Sequence, residues 1–192
     1  MNLEKYFKKR ASSSKQSIVL PESEEGRILQ AAAELLQEEI TEVILLGETN
    51  RIKEAAARES VNIDKATIIN PETSDLLDDF SETFYELRQH KGINREEALN
   101  TVKDPLYFGT MLVYTDRAQG MVAGSINPTS NVLRPSFQII KTKENISIVS
   151  GAFIMDVPNT TMGADGLFVF ADGGVNPNPD SEQLAEIAIS SA

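Results

Sequence analysis

Cysteine does not occur anywhere in the 192-residue chain. That excludes a disulfide framework, a thiolate zinc site, an iron–sulfur cluster and a cysteine nucleophile. A thiol that takes part in any reaction here must arrive with the substrate. Histidine occurs once, as His90, which excludes a histidine-rich metal site and a paired-histidine mechanism. No stretch approaches the roughly 18 consecutive apolar residues of a membrane span. The basic opening segment, MNLEKYFKKRASSSK, lacks the apolar centre of a signal peptide. A cytoplasmic protein with no membrane partner is the expectation. Positive charge is scarce too, with 18 Lys and Arg against 29 Asp and Glu for a formal charge of −11. This balance argues against nucleic acid as a partner. An anionic ligand has to meet a local basic pocket instead of a basic face.

What is present is ordinary for a globular domain: 41% hydrophobic and 24% charged residues, in a length that suits one domain or slightly more. Asn2 is placed to cap a first helix whose Leu3, Tyr6 and Phe7 share one face. Ser17–Leu20, Val43–Leu46 and Ala66–Ile69 are short apolar runs closed by Pro21, Gly47 and Asn70-Pro71. Between them lie two helical stretches, the first opening with Ser23 as N-cap and the second over Asn50–Glu59. The pattern β-α-β-α-β with uninterrupted apolar strands predicts a parallel sheet covered on both faces. Helices are expected next over Asp78–His90, Arg95–Val102 and Pro105–Thr115. A fourth strand is expected over Gly120–Gly124, followed by a small-residue loop. The next helix is read from about Asn131 to Ile140, with Pro135 in its first turn. From about Lys143 the character changes, and Ile146–Val157 and Leu167–Phe170 predict an antiparallel pair. Asp180 caps a last helix bearing Leu184, Ile187 and Ala188. The expected domains are residues 1–143 and 144–192. The second is read as incomplete, because an alternating architecture calls for a further strand.

Several residues are candidates for chemistry. The loop Ser125-Ile-Asn-Pro-Thr-Ser130 opens onto a helix, where backbone N–H groups and the helix dipole favour an anion. Thr129 and Ser130 add hydroxyl donors, and Arg134 adds a planar fork that matches two phosphate oxygens. A plain serine cap with a solvated arginine explains the same residues. Arg88, with His90 and Lys91, forms a basic group at a helix end; it either binds an anion or only complements the helix dipole. Nothing near His90 in sequence orients it as a base. Asp156, Asp165 and Asp172 stand at predicted strand ends, where α/β proteins place functional groups, although aspartates there also serve as turn formers. Glu22, Glu24 and Glu25 are explained by the helix dipole, so no metal is predicted.

Four segments together resemble one family. Ile18-Val-Leu-Pro-Glu22, Phe84-Tyr-Glu-Leu-Arg-Gln-His-Lys-Gly92, Leu133-Arg-Pro135 and Phe170-Ala-Asp172 with Asn176-Pro177 are similar to phosphate acetyltransferase, also called phosphotransacetylase. The resemblance implies reversible acetyl transfer between coenzyme A and inorganic phosphate, with acetyl-CoA and acetyl phosphate as the two acyl carriers. It implies a three-layer α/β/α fold of the isocitrate/isopropylmalate dehydrogenase kind, with two domains and the active site in the cleft between them. A cytoplasmic homodimer without metal or covalently bound cofactor is also implied. Arg88 and Arg134 match arginines that bind coenzyme A or phosphate in the family, and Thr129 and Ser130 fall in the loop bordering the phosphate site. The family's N-D-L-S-R-G-like motif, with its Ser and a following Asp, has no counterpart here. The expectation is therefore a chain truncated before either domain is complete, holding no catalytic residue and inactive alone. Two other classes remain open: an acetyl-CoA-binding regulatory domain like that at the C-terminus of bacterial malic enzymes, and a phosphate-binding α/β domain unrelated to acyl transfer.

Overall fold

A computed structural model describes residues 3–192. The cap expected at Asn2 lies outside the described residues. Helix α1 (Leu3–Ser13) buries no residue, so its apolar face stays largely at the surface. The chain divides into two compact units, one of Phe7–Lys141 and the other of residues 3–6 with Thr142–Ala192.

In the larger unit, β1 (Ser17–Leu20), β2 (Glu42–Leu46), β3 (Thr67–Ile69) and β4 (Gly120–Met121) form one parallel sheet in the order β3-β2-β1-β4. Ile18 stands opposite both Val43 and Gly120, which sets the register of the central strand. Successive side chains along a strand point to opposite faces. Leu20, Val43 and Leu45 therefore pack on one side, with Leu29, Ala32 and Leu36 of α2 (Gly26–Gln37) and Ile52, Ala55 and Ala56 of α3 (Thr49–Glu59). Val19, Ile44 and Leu46 face the other side. There they meet α4 (Leu77–Arg88), α5 (Arg95–Val102) and α6 (Pro105–Tyr114) through Phe80, Phe84, Val102, Phe108 and Met111. Helix α6 comes very near the sheet. A Cβ on Gly109 would stand 2.7 Å from Met121 Sδ and 3.2 Å from Val19 Cγ1, so only glycine fits without displacement.

The helix starts follow capping chemistry. Asn94 and Glu97 form a reciprocal capping box on α5, and Asp104 accepts from Leu106 N–H ahead of Pro105 in α6. A 3₁₀ turn (Gln89–Lys91) extends α4, and Gly92, at φ +86°, closes it in a left-handed conformation. Two expectations need correction here. Ser23 does not cap α2; Glu25 does, accepting from Ile28 N–H. Ser23 is instead buried, its Oγ donating to Leu20 O at 2.6 Å and accepting from Leu46 N–H at 2.7 Å. It ties the ends of β1 and β2 together. The helix after the loop, α7 (Thr129–Pro135), starts earlier than expected, so Pro135 is its last residue and not part of its first turn. Proline has no N–H to continue the ladder, and the chain passes into a π turn over Ser136–Ile140.

In the smaller unit, β5 (Ala152–Asp156) and β6 (Leu167–Ala171) pair antiparallel, with Ile154 opposite Val169. They are joined through a single irregular turn, α8 (Met162–Asp165), which ends at Gly166. Gly166 has φ +92°, and a Cβ there would collide with the carbonyl oxygen of Val157. Strand β5 is shorter than the expected Ile146–Val157, because residues 146–151 find no strand partner among the described residues. Side chains serve them instead: Glu186 accepts from Ser147 N–H, and Asn176 Nδ2 donates to Val149 O. Helix α9 (Ser181–Ser191) has a capping box from Asp180 and Gln183 and buries Ile187. Among the described residues, no helix is long and apolar enough to cross a membrane.

Candidate functional site

The strand order reverses between β1 and β4, and in open α/β sheets ligands enter the crevice beyond the strand ends at such a point. Two segments leave the sheet there: Pro21–Arg27 after β1, and the loop after β4 that leads to α7. The loop does form a cradle of inward-pointing N–H groups. Its occupant is the chain's own Glu22. Oε2 accepts from the N–H groups of Gly124 (2.9 Å) and Ser125 (2.7 Å). Oε1 accepts from the N–H groups of Ile126 (3.0 Å) and Asn127 (2.8 Å) and from Asn127 Nδ2 (2.9 Å). Glu22 is only 4% exposed. Burial pushes its carboxyl up, but the donors of Ile126, Asn127 and Ser125 together outweigh burial and hold the pKa at about 2. Glu22 is thus a charged acceptor in a built pocket, and the helix dipole does not account for it. Glu25 and Arg27 brace the same loop: Ser125 Oγ donates to Glu25 Oε2 at 3.2 Å, and Arg27 Nη2 donates to Ser125 O at 3.1 Å.

With those donors used, the groups left for a ligand lie further along. Thr129 and Ser130 are exposed at the start of α7, and Ser130 lies one turn before Arg134, on the same face. Arg88 ends α4 and is half-buried. The two arginines approach a common neighbour, Tyr107 of α6. Phe84, one turn before Arg88, packs edge-on against the Tyr107 ring with centroids 5.6 Å apart. Gln138, four residues after Arg134, accepts the Tyr107 hydroxyl at 3.1 Å through Oε1. Burial pushes the Tyr107 phenol up, reinforced by Asp104, while the charges of Arg134 and Arg88 act to lower it. Among the described residues, neither Arg88 nor Arg134 is ion-paired, whereas Arg27, Arg51 and Arg95 each have a glutamate partner. Two guanidinium charges against the one carboxylate of Asp104 leave a net positive charge acting on this phenol in an acidic molecule. Sequence reasoning missed Tyr107, Gln138 and Glu22. For Tyr107, the signal available was a lone polar group on the otherwise apolar start of α6.

The other candidates are not drawn into this cluster. His90 is exposed in the 3₁₀ turn. Asp172 folds its own turn. Oδ1 accepts from the N–H groups of Gly174 and Val175, and Oδ2 accepts from Asn176, which holds the carboxyl well below the usual range. Asp156 and Asp165 line a shallow hollow of the smaller unit with Val157, Pro158 and Asn159. Among the described residues, no group of three or more His, Asp or Glu is placed to hold a metal ion.

Comparison with known proteins gives the family. The pattern described as phosphate acetyl/butaryl transferase matches residues 2–192. The chain belongs to that family. Among phosphate acetyl/butaryl transferase relatives, the phosphate acetyltransferase of Thermoanaerobacterium thermosaccharolyticum is 49% identical over 183 residues, covering 95% of this chain and 55% of that protein. That of Clostridium acetobutylicum is 46% identical over 182 residues, with the same two coverages. A crystal structure of a phosphotransacetylase from Streptococcus pyogenes superposes with a TM-score of 0.89 at 37% identity, covering 97% of this chain and 55% of that one. The chain therefore spans about half the length of the relatives it matches.

Proposed function

We propose that this chain carries the coenzyme A- and phosphate-binding part of a phosphate acetyltransferase. In the reaction, a phosphate oxygen attacks the thioester carbonyl of acetyl-CoA, and the thiolate of coenzyme A leaves as acetyl phosphate forms; the reverse regenerates the thioester. The observation that carries this reading is that Arg88 and Arg134, neither ion-paired among the described residues, both act on Tyr107 in a chain of net negative charge. Arg88 and Arg134 hold phosphate oxygens of coenzyme A or of inorganic phosphate, and Thr129 and Ser130 donate to the same anion. The absence of cysteine fits, because the thiol belongs to coenzyme A. Residues 1–143 belong to the first domain of an isocitrate/isopropylmalate dehydrogenase-like fold, and residues 144–192 to the second. The whole protein acts as a homodimer in the cytoplasm, without metal or nucleic acid.

No serine–arginine motif or following aspartate is present to stabilise the acyl oxyanion or deprotonate the thiol. The 192-residue chain alone is therefore expected to bind coenzyme A without turning it over. Titration calorimetry with coenzyme A tests the binding. A hydrogen bond to a charged group contributes about 1.5–3 kcal/mol, so Arg88→Ala and Arg134→Ala are each expected to weaken affinity about 10-fold or more. Unchanged affinity in both variants would remove these residues from the site. Rapid acetyl phosphate formation by the purified chain would overturn the expected inactivity.

A further inference from the structure

We infer that Glu22 serves as a built-in anion, a positioning residue whose carboxylate fixes the loop at 124–127 and thereby sets the start of α7. The inference rests on the proposed role of α7 in ligand binding. Both oxygens of Glu22 are engaged, with five donors at 2.7–3.0 Å. Four of the donors are successive backbone N–H groups, and only a compact anion at the centre satisfies all four. Without it they would face one another with no acceptor. A main-chain nest of this kind in other α/β proteins takes a bound phosphate. Here it is occupied from within, at the crevice where the strand order reverses.

The consequence passes directly into α7. Its N-cap is Pro128, which offers no N–H and makes no side-chain cap bond. The last residue held by Glu22, Asn127, is the immediate neighbour of that proline. Thr129 follows, then Ser130, and Arg134 stands one turn further on. The position of these groups is thus referred back to β1 through one carboxylate. The same carboxylate withholds the loop's N–H groups from any ligand phosphate, which leaves hydroxyls and guanidinium groups to read it.

The test compares the 192-residue chain with Glu22→Gln and Glu22→Ala by amide hydrogen exchange and by coenzyme A titration. Each is run in formate and in chloride at equal ionic strength. Loss of several charge-assisted bonds is expected to speed exchange at 124–127 and at the start of α7 by about 10-fold or more in both variants. Coenzyme A affinity is expected to fall about as much. Formate carries the same two oxygens and fits the space left by alanine, so it should restore both readouts in Glu22→Ala. It should restore neither in Glu22→Gln, where the amide still fills the pocket. A general loss of packing would not respond to formate. Wild-type exchange rates in Glu22→Gln, or a Glu22→Ala variant that formate leaves unchanged, would overturn the inference. Should Glu22→Ala fold only in formate, that supports it; failure to fold in both salts, with Glu22→Gln protected as in wild type, overturns it. If the wild-type chain does not bind coenzyme A, the proposed function fails, and exchange and formate rescue still decide the role of Glu22.

Discussion

Acid should weaken the larger unit through Glu22 in a way that can be isolated. The carboxyl ionises at about 2 in the fold against an ordinary 4.5. A folded pKa below the unfolded one gives stability that is complete above the unfolded value and is lost as pH falls through the folded one. The difference corresponds to about 3 kcal/mol at pH 7, about 1 kcal/mol at pH 3 and well under about 1 kcal/mol at pH 2. Glu22→Gln removes this titration and adds a pH-independent cost, because an amide N–H₂ then opposes two backbone N–H groups. Urea unfolding of both proteins from pH 7 down to pH 3 reads the effect. The wild-type advantage should shrink by about 2 kcal/mol across that range, chiefly below pH 4.5. Other carboxylates cancel in the difference. An advantage of constant size from pH 7 to pH 3 would show that ionisation of Glu22 does not hold the loop.

Two more substitutions test the architecture behind the site. Ser23→Ala leaves the buried Leu46 N–H and Leu20 carbonyl without their shared hydroxyl, and should lower the unfolding free energy by about 1–3 kcal/mol in urea titrations. Phe84→Ala empties a fully buried position and removes the edge-on partner of Tyr107. It should cost about 3–5 kcal/mol in the same assay and also weaken coenzyme A binding. Full retention of affinity in that variant would show that the Tyr107 ring does not order the arginine cluster.

The parts legible from sequence are those where physics is local. Val19–Leu20 and Val43–Leu46 read as buried strands because both sheet faces are covered, so no polar residue interrupts them. Asn94 with Glu97, and Asp104 before Pro105, announce α5 and α6 by spacing alone. The failures are long-range. Glu22 reaches partners more than 100 residues away, and an acid after a strand looks the same whether it faces a helix dipole or fills a nest. Ser23 reads as a cap for the same reason: a serine before a helix and a serine bridging two strands carry one signature. Residues 146–151 are apolar enough for a strand, but a ladder needs a partner that local composition does not reveal. At the candidate site, Arg88 and Arg134 stand out by charge. Their common neighbour Tyr107 does not, because the meeting depends on how α4, α6 and the π turn pack.

The winding of Ser136–Ile140 makes that stretch sensitive to length more than to composition. Lys141 N–H reaches back to Ser136 O at 3.0 Å, one residue beyond the ordinary helical reach. The extra residue brings Gln138 under Tyr107 while Ile139, 1% exposed, still enters the core. Removing any one residue here would let the coil tighten to the usual pitch, leaving one position fewer to serve both the phenol and the core. Either Ile139 would then leave the interior or Gln138 would lose its reach to the phenol. A deletion scan should show a sharp intolerance at these five positions, where many single replacements pass.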